Sequence, residues 1–210
     1  MERKFETKTK KQPLTSFGNR NIKNREFNME TTATRKVETK TKTKSSNMNY
    51  LNFDLDKAKN TSKELNILLA DYNLYYQKLR NYHWNIVGKS FFDLHVKFEE
   101  MYDDAIIKID EIAERILTLR YQPTSNYSDY LKISNIKETT SNLSDIEMVN
   151  NLITDHGSIL SQMSKVIETA GKCEDEGTID LIGAYIRELE TTSWMLDAWR
   201  MNTEDTRKSI

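Results

Sequence analysis

The sequence predicts an all-α protein in which four long helices form a bundle and a short helix sits in a long crossover between the second and third. Three observations carry this expectation. Apolar residues recur at spacings of three and four in four separate segments; a short turn containing Gly88 divides the first two; and the Pro-, Ser-, Thr- and Asn-rich residues 121–144 divide the second from the third. A three-four spacing lines up one face of an α-helix. A short turn makes two long helices antiparallel, and a long connection carries the chain from one end of a bundle to the other.

The first helix is expected from about Asp54, with Leu65, Leu68, Leu69, Tyr72, Tyr75, Tyr76, Leu79, Tyr82 and Ile86 on its stripe. Gly88 ends it by supplying turn geometry at low steric cost, and Ser90 is the expected N-cap of the second helix. Phe91, Leu94, Phe98, Met101, Tyr102, Ala105, Ile109, Ile112, Ala113, Ile116 and Leu117 continue the spacing there. In the crossover, Tyr127, Tyr130 and Leu131 mark the short helix. Asp145 is the expected cap of the third long helix, which runs to about Thr169 on Met148, Leu152, Ile159, Leu160, Met163 and Ile167. The fourth runs from about Glu176 to Trp199. Among bundle topologies, this order with one long connection is the ferritin-like arrangement.

Charge divides the chain differently. Residues 1–50 carry 13 Lys/Arg against 5 Asp/Glu, whereas residues 51–210 carry 18 against 27. The near-neutral total therefore combines a basic segment of +8 with an acidic one of −9. Residues 1–52 read as a Lys/Thr-rich arm without an apolar stripe, expected to be disordered, ahead of a bundle at 53–200 and a short flexible tail at 201–210. Lys8, Lys10, Lys11, Arg35, Lys36, Lys40, Lys42 and Lys44 are the candidate contacts to DNA phosphates, in a salt-sensitive and sequence-independent mode; such an arm also serves simply to solubilise. No window approaches the apolar length of a membrane-spanning helix, and the start MERKFETKTK lacks the apolar stretch of a secretory signal. The single Cys173 excludes an intrachain disulfide framework and makes the cytoplasm the expected location.

Several polar residues interrupt the stripes in a pattern that points to a metal. His83 lies five residues before Gly88 and His95 seven after it, so on antiparallel helices both fall roughly 8 to 10 Å from the hairpin end. Asp110 and Glu114 lie four apart, on one face of the second helix. His95 and Asp110 are fifteen residues apart, or about 22 Å of helix, so one chain cannot bring all four together. Two chains pairing their second helices antiparallel about a two-fold axis can, and each pair then gains two equivalent sites. Two imidazoles and two carboxylates suit Fe(II), with Mn, Co and Zn as competitors. His156, beside Asp155 and Gly157, reads as structural.

The stretch NYHWNIVGKSFFDLHVKFEEMY from Asn81, followed by IDEIAER from Ile109, resembles the signature of the Dps family, the miniferritins known as DNA-binding proteins from starved cells. The resemblance covers about residues 54–199, through WMLDAW at Trp194, and leaves the arm outside. It implies a hollow homo-dodecamer and a ferroxidase centre shared between two-fold-related subunits, with His83 and His95 from one chain and Asp110 and Glu114 from its mate. It implies Fe(II) oxidised to Fe(III), by hydrogen peroxide or dioxygen, and stored as a mineral in the cavity, with a protective and nucleoid-associated role. Trp84 resembles the family's tryptophan beside the iron site, and Glu99 and Asp103 are candidates to orient a metal-bound imidazole or to widen the coordination sphere. Asp175, Asp180, Glu174 and Glu176 are candidates for an iron-entry pore, or equally for a solvated helix N-terminus. None of the three histidines follows a Glu by three residues, which departs from the ferritins that build their centre inside the bundle.

Overall fold

The computed structural model describes residues 48–201. Five helices make up this region: α1 (Leu55–Asn85), α2 (Phe91–Thr118), the short α3 (Tyr127–Ile133), α4 (Asp145–Lys172) and α5 (Glu176–Arg200). The basic arm, with every candidate DNA-contacting residue from Lys8 to Lys44, lies outside the described residues, as do residues 202–210. No helix among the described residues is long and apolar enough to cross a membrane.

The chain enters α1 through a turn that includes the last residues assigned to the arm. Asn49 accepts from the amides of Leu51 and Phe53 at 2.9 and 3.0 Å, and Asp54 caps α1 by accepting from the amide of Asp56 at 3.0 Å. α1 is the hub, packed against α2, α4 and α3, while α4 packs on α5. Leu65, Leu68, Leu79 and Tyr82 of α1 are therefore wholly buried with Phe98 and Ile112 of α2 and Leu152, Ile159 and Met163 of α4.

Two caps differ from the sequence expectation. Ser90 precedes α2 but makes no capping bond; its hydroxyl instead donates to Asp145 at 2.7 Å and ties the α1–α2 turn to the start of α4. Ser144, not Asp145, caps α4. It accepts from the Glu147 amide while the Glu147 carboxylate accepts from the Ser144 amide, so the S-x-x-E pattern satisfies two otherwise orphaned donors. Gly88 holds φ +99°, a left-handed conformation that explains why glycine stands in the turn.

α1 also carries polar residues that its stripe obscures. Buried Asp71 anchors the crossover by accepting from the Ser134 hydroxyl at 2.8 Å and from the Asn135 amide at 2.6 Å. Deeper in the bundle, the Tyr75 hydroxyl is hydrogen-bonded to Nε2 of His156 at 2.7 Å, and the Ser193 hydroxyl to its Nδ1 at 2.6 Å. Beside them, Lys78 pairs with Asp155 at 2.6 Å. His156 thus pins α1, α4 and α5 together as a neutral ring.

Burial lowers the pKa of His156 from 6.5 to about 4. The unfolded chain binds a proton that the folded chain refuses, so the stability is whole above pH 6.5 and falls as pH drops toward 4. The loss amounts to about 3 kcal/mol across that window. Urea unfolding at a series of pH values, compared with His156→Gln, is expected to show this part of the acid sensitivity in the native protein alone; parallel slopes in the two proteins would refute it.

Candidate metal centre

His83 lies in the last turn of α1 and His95 in the first two turns of α2, and the close hairpin stacks their rings with centroids 3.8 Å apart and planes 21° from parallel. Each ring is held by the other residue's main chain. Nδ1 of His83 lies 2.8 Å from the carbonyl of His95, and Nδ1 of His95 lies 2.9 Å from the carbonyl of His83. A carbonyl only accepts, so both rings carry a proton on Nδ1, and the neutral tautomer compatible with these bonds has its lone pair on Nε2. The His83 carbonyl is among those that a helix C-terminus leaves without an intrahelical donor. Neither Nε2 has a hydrogen-bond partner among the described residues.

Aromatic rings close the stack on both sides. Phe91 lies over His95 at 4.8 Å and 24°, and Tyr102 meets His83 edge-on at 5.4 Å and 87°. The Tyr102 hydroxyl donates to Glu99 at 3.3 Å. Partial desolvation, with the carboxylates of Glu99 and Asp103 nearby, raises its pKa and keeps it a neutral phenol. Tyr102 escaped notice in the sequence because it sits on the apolar period, although it shares a helical face with His95, seven residues earlier.

Glu99 accepts from the Tyr102 hydroxyl, and each imidazole Nδ1 is held by a main-chain carbonyl. Asp103 is exposed on α2. Trp84 is 59% exposed, and its ring packs on the Arg80 guanidinium at 4.7 Å; within this chain the ring against His83 belongs to Tyr102.

Asp110 and Glu114 stand exposed on α2, and neither carboxylate has a hydrogen-bond or ion-pair partner among the described residues. They share a helical face with Glu99, Asp103 and the exposed apolar residues Phe92, Val96, Ile106, Ile107 and Leu117, all within a band of about 100°. Arg115 turns away to the start of α5, donating to Thr178 at 2.8 Å and pairing with Asp175. No three His, Cys, Asp or Glu side chains converge on a metal-binding point among the described residues. The two histidines stand together at the hairpin, and the two unpartnered carboxylates stand apart from them farther along α2.

The acidic corner between α4 and α5 divides as well. Glu174, Glu176 and Asp180 are exposed, whereas Asp175 is fully buried. Its carboxylate caps α5 by accepting from the amide and hydroxyl of Thr178 at 3.0 and 2.6 Å, and it binds Arg115. Asp175 is therefore a structural anchor and not a pore-lining residue. A Cβ on Gly177 would come within 3.2 Å of the Arg115 guanidinium, which shows how tightly this anchor is packed.

Comparison with known proteins agrees with this architecture. The ferritin-like domain family matches residues 62–205. Over 141 residues the chain is 39% identical to DNA protection during starvation protein 2 of Bacillus anthracis, covering 67% of this chain and 97% of that protein. A Dps protein from Vibrio cholerae O1, described as a member of a broad superfamily of ferritin-like diiron-carboxylate proteins, superposes with a TM-score of 0.72 at 44% identity, covering 73% of this chain and 97% of that one. Dps from Staphylococcus aureus superposes with a TM-score of 0.67 at 35% identity, covering 69% and 97% respectively.

Proposed function

The chain belongs to the Dps family of ferritin-like proteins, and from that premise we propose that it is a ferroxidase that oxidises Fe(II) and stores the Fe(III). The observation that carries this reading is the divided donor set. Neither imidazole Nε2 has a hydrogen-bond partner among the described residues, while two carboxylates, likewise unpartnered there, begin about 22 Å along α2 from His95. A second copy laid antiparallel along α2 brings its Asp110 and Glu114 opposite His83 and His95, and the two-fold repeats the site. The apolar residues between these halves supply the contact: Phe92, Val96, Ile106, Ile107 and Leu117 are large side chains left exposed on one helix.

Fe(II) is the substrate, and the protein's part is geometric. The fixed Nδ1–H tautomers aim both Nε2 lone pairs, and the mate's carboxylates offset the cation's charge and favour its oxidised form. Two Fe(II) give two electrons to hydrogen peroxide, whose O–O bond breaks; with two protons this yields two water molecules and two Fe(III). Dioxygen is the slower alternative oxidant. A hollow dodecamer retains the hydrolysed Fe(III), and the exposed Glu174, Glu176 and Asp180 draw Fe(II) inward through their field. The setting is the cytoplasm, in association with the nucleoid.

The basic arm favours a second role, sequence-independent attachment to DNA. Twelve weak arms displayed on one particle gain strongly through multivalency. The test of the main reading is consumption of Fe(II) by the assembled protein with peroxide, at two Fe(II) per peroxide, with an iron core accumulating. Oxidation no faster than in buffer would sink it. A salt-sensitive DNA mobility shift that survives removal of residues 1–47 would take the arm out of the second role.

A further inference from the structure

We propose that the seam between α2 and α5 is a divalent-cation seat that the chain keeps filled with its own Lys108 ammonium; only the identity of the cation it turns away, Fe(II), rests on the iron-oxidising reading above. Lys108 points into the bundle, with 4% of its side chain exposed. Carboxylates from two helices meet its ammonium: Asp104 of α2, one turn earlier, and Glu188 of α5 at 2.8 Å. The Tyr185 ring lies 5.2 Å from the same Nζ, and the Tyr185 hydroxyl donates to Glu111, so a third carboxylate stands at the seam. A cavity of about 180 Å³ opens beside the ammonium and is lined on the α1 side by the buried Tyr72 and Tyr75. Lys97 and Glu100, at the same cavity, pair with each other at 3.1 Å and add no net charge.

The charges show what the lysine replaces. Asp104, Glu111 and Glu188 against Lys108 leave the seam with two formal negative charges in excess even while the ammonium is in place. A cation gripped by oxygens from facing helices is how a bundle holds metal in its interior, and donors that are all oxygen suit divalent cations. A free cation entering here has to displace an ammonium tethered to α2, an intramolecular competitor whose effective concentration is of order mM or higher. The carboxylates do not depend on the lysine in return. Asp104 and Glu188 are each more than half exposed, so without Lys108 they stand hydrated rather than buried and unpaired. Lys108 thus closes the inside of the bundle to metal, and Fe(II) is left to the donor set proposed between chains.

The experiment uses assembled full-length chains carrying His83→Ala/His95→Ala, which disables the candidate centre, and titrates them with Co(II), read by equilibrium dialysis and by the visible absorption of the bound ion. Adding Lys108→Met or Lys108→Gln is expected to give one further Co(II) per chain, bound at least ~10-fold more tightly than the parent binds it there, because the tethered competitor is gone. The same variants are expected to unfold at a higher temperature with Co(II) than without it. Lys108→Arg keeps a cation in the seat and is expected to gain nothing. Asp104→Asn/Glu188→Gln, added to Lys108→Met, is expected to abolish the gain. The proposal is overturned if neither neutral replacement binds a further Co(II), or if the gain survives loss of both carboxylates. A parent that already holds a Co(II) which Asp104→Asn/Glu188→Gln removes overturns it too, as does failure of both neutral replacements to assemble, since an ammonium that the fold requires is not standing in for a metal. Co(II) binding is read without any oxidation, so a native protein that fails to oxidise Fe(II) overturns the iron-oxidising reading and leaves the seat standing.

Discussion

Mixed assemblies refolded from equal amounts of His83→Ala/His95→Ala chains and Asp110→Ala/Glu114→Ala chains are expected to recover about a quarter of the native complement of sites. Each variant alone is expected to oxidise Fe(II) at least ~100-fold more slowly than the native protein, because half of every coordination set is gone. The arithmetic follows from the two-fold. Half of the random pairs combine one chain of each kind, and in such a pair one site takes intact histidines from one chain and intact carboxylates from the other. The second site of that pair has neither. Stopped-flow oxidation with peroxide reads the outcome, and size-exclusion chromatography checks that the assemblies match. No recovery in mixtures of the same size and helicity would mean that the four residues do not meet across two chains. The exposed positions of Asp110 and Glu114 make these substitutions mild for the folded chain itself.

Asp155→Ala is expected to cost about 3–5 kcal/mol, because it leaves the Lys78 ammonium inside the bundle without its counter-charge. Burial pushes the Asp155 carboxyl up from the usual range and the Lys78 ammonium holds it partly back, so the pair is tolerated where a single charge is not. The double replacement Lys78→Met/Asp155→Leu removes both charges, and it is expected to recover most of the loss. Guanidinium unfolding at one chain concentration measures both, since assembly adds to apparent stability by mass action. A cost below about 1 kcal/mol for Asp155→Ala would show that water reaches the pair and that the bundle is looser there than its packing indicates.

The helices were readable because burial on one side imposes a period near 3.6, and Phe98, Ile112, Leu152 and Ile159 keep it without interruption. The histidine pair was readable because one glycine fixed the turn and the distances on either side nearly match. Other features depend on partners that no local pattern displays. Asp175 looks like its acidic neighbours until Arg115, sixty residues earlier, is seen to reach it. Lys78 and Asp155 meet across two helices and 77 residues. The acceptors that set the histidine tautomers are main-chain carbonyls, and every residue has one, so composition is silent about them. The α4 cap was there to be read: Ser144 and Glu147 make a capping box that the adjacent Asp145 obscured.

The reciprocal bonds between His83 and His95 also limit what the chain can become. Exposed turns are where proteins ordinarily absorb insertions and deletions. Here one residue added between Ile86 and Ser90 would lengthen the turn that sets α2 against α1 and shift His95 from its level beside His83. Both main-chain bonds would break together, and with them the aim of both lone pairs. The turn is thus a spacer whose length the histidine pair fixes.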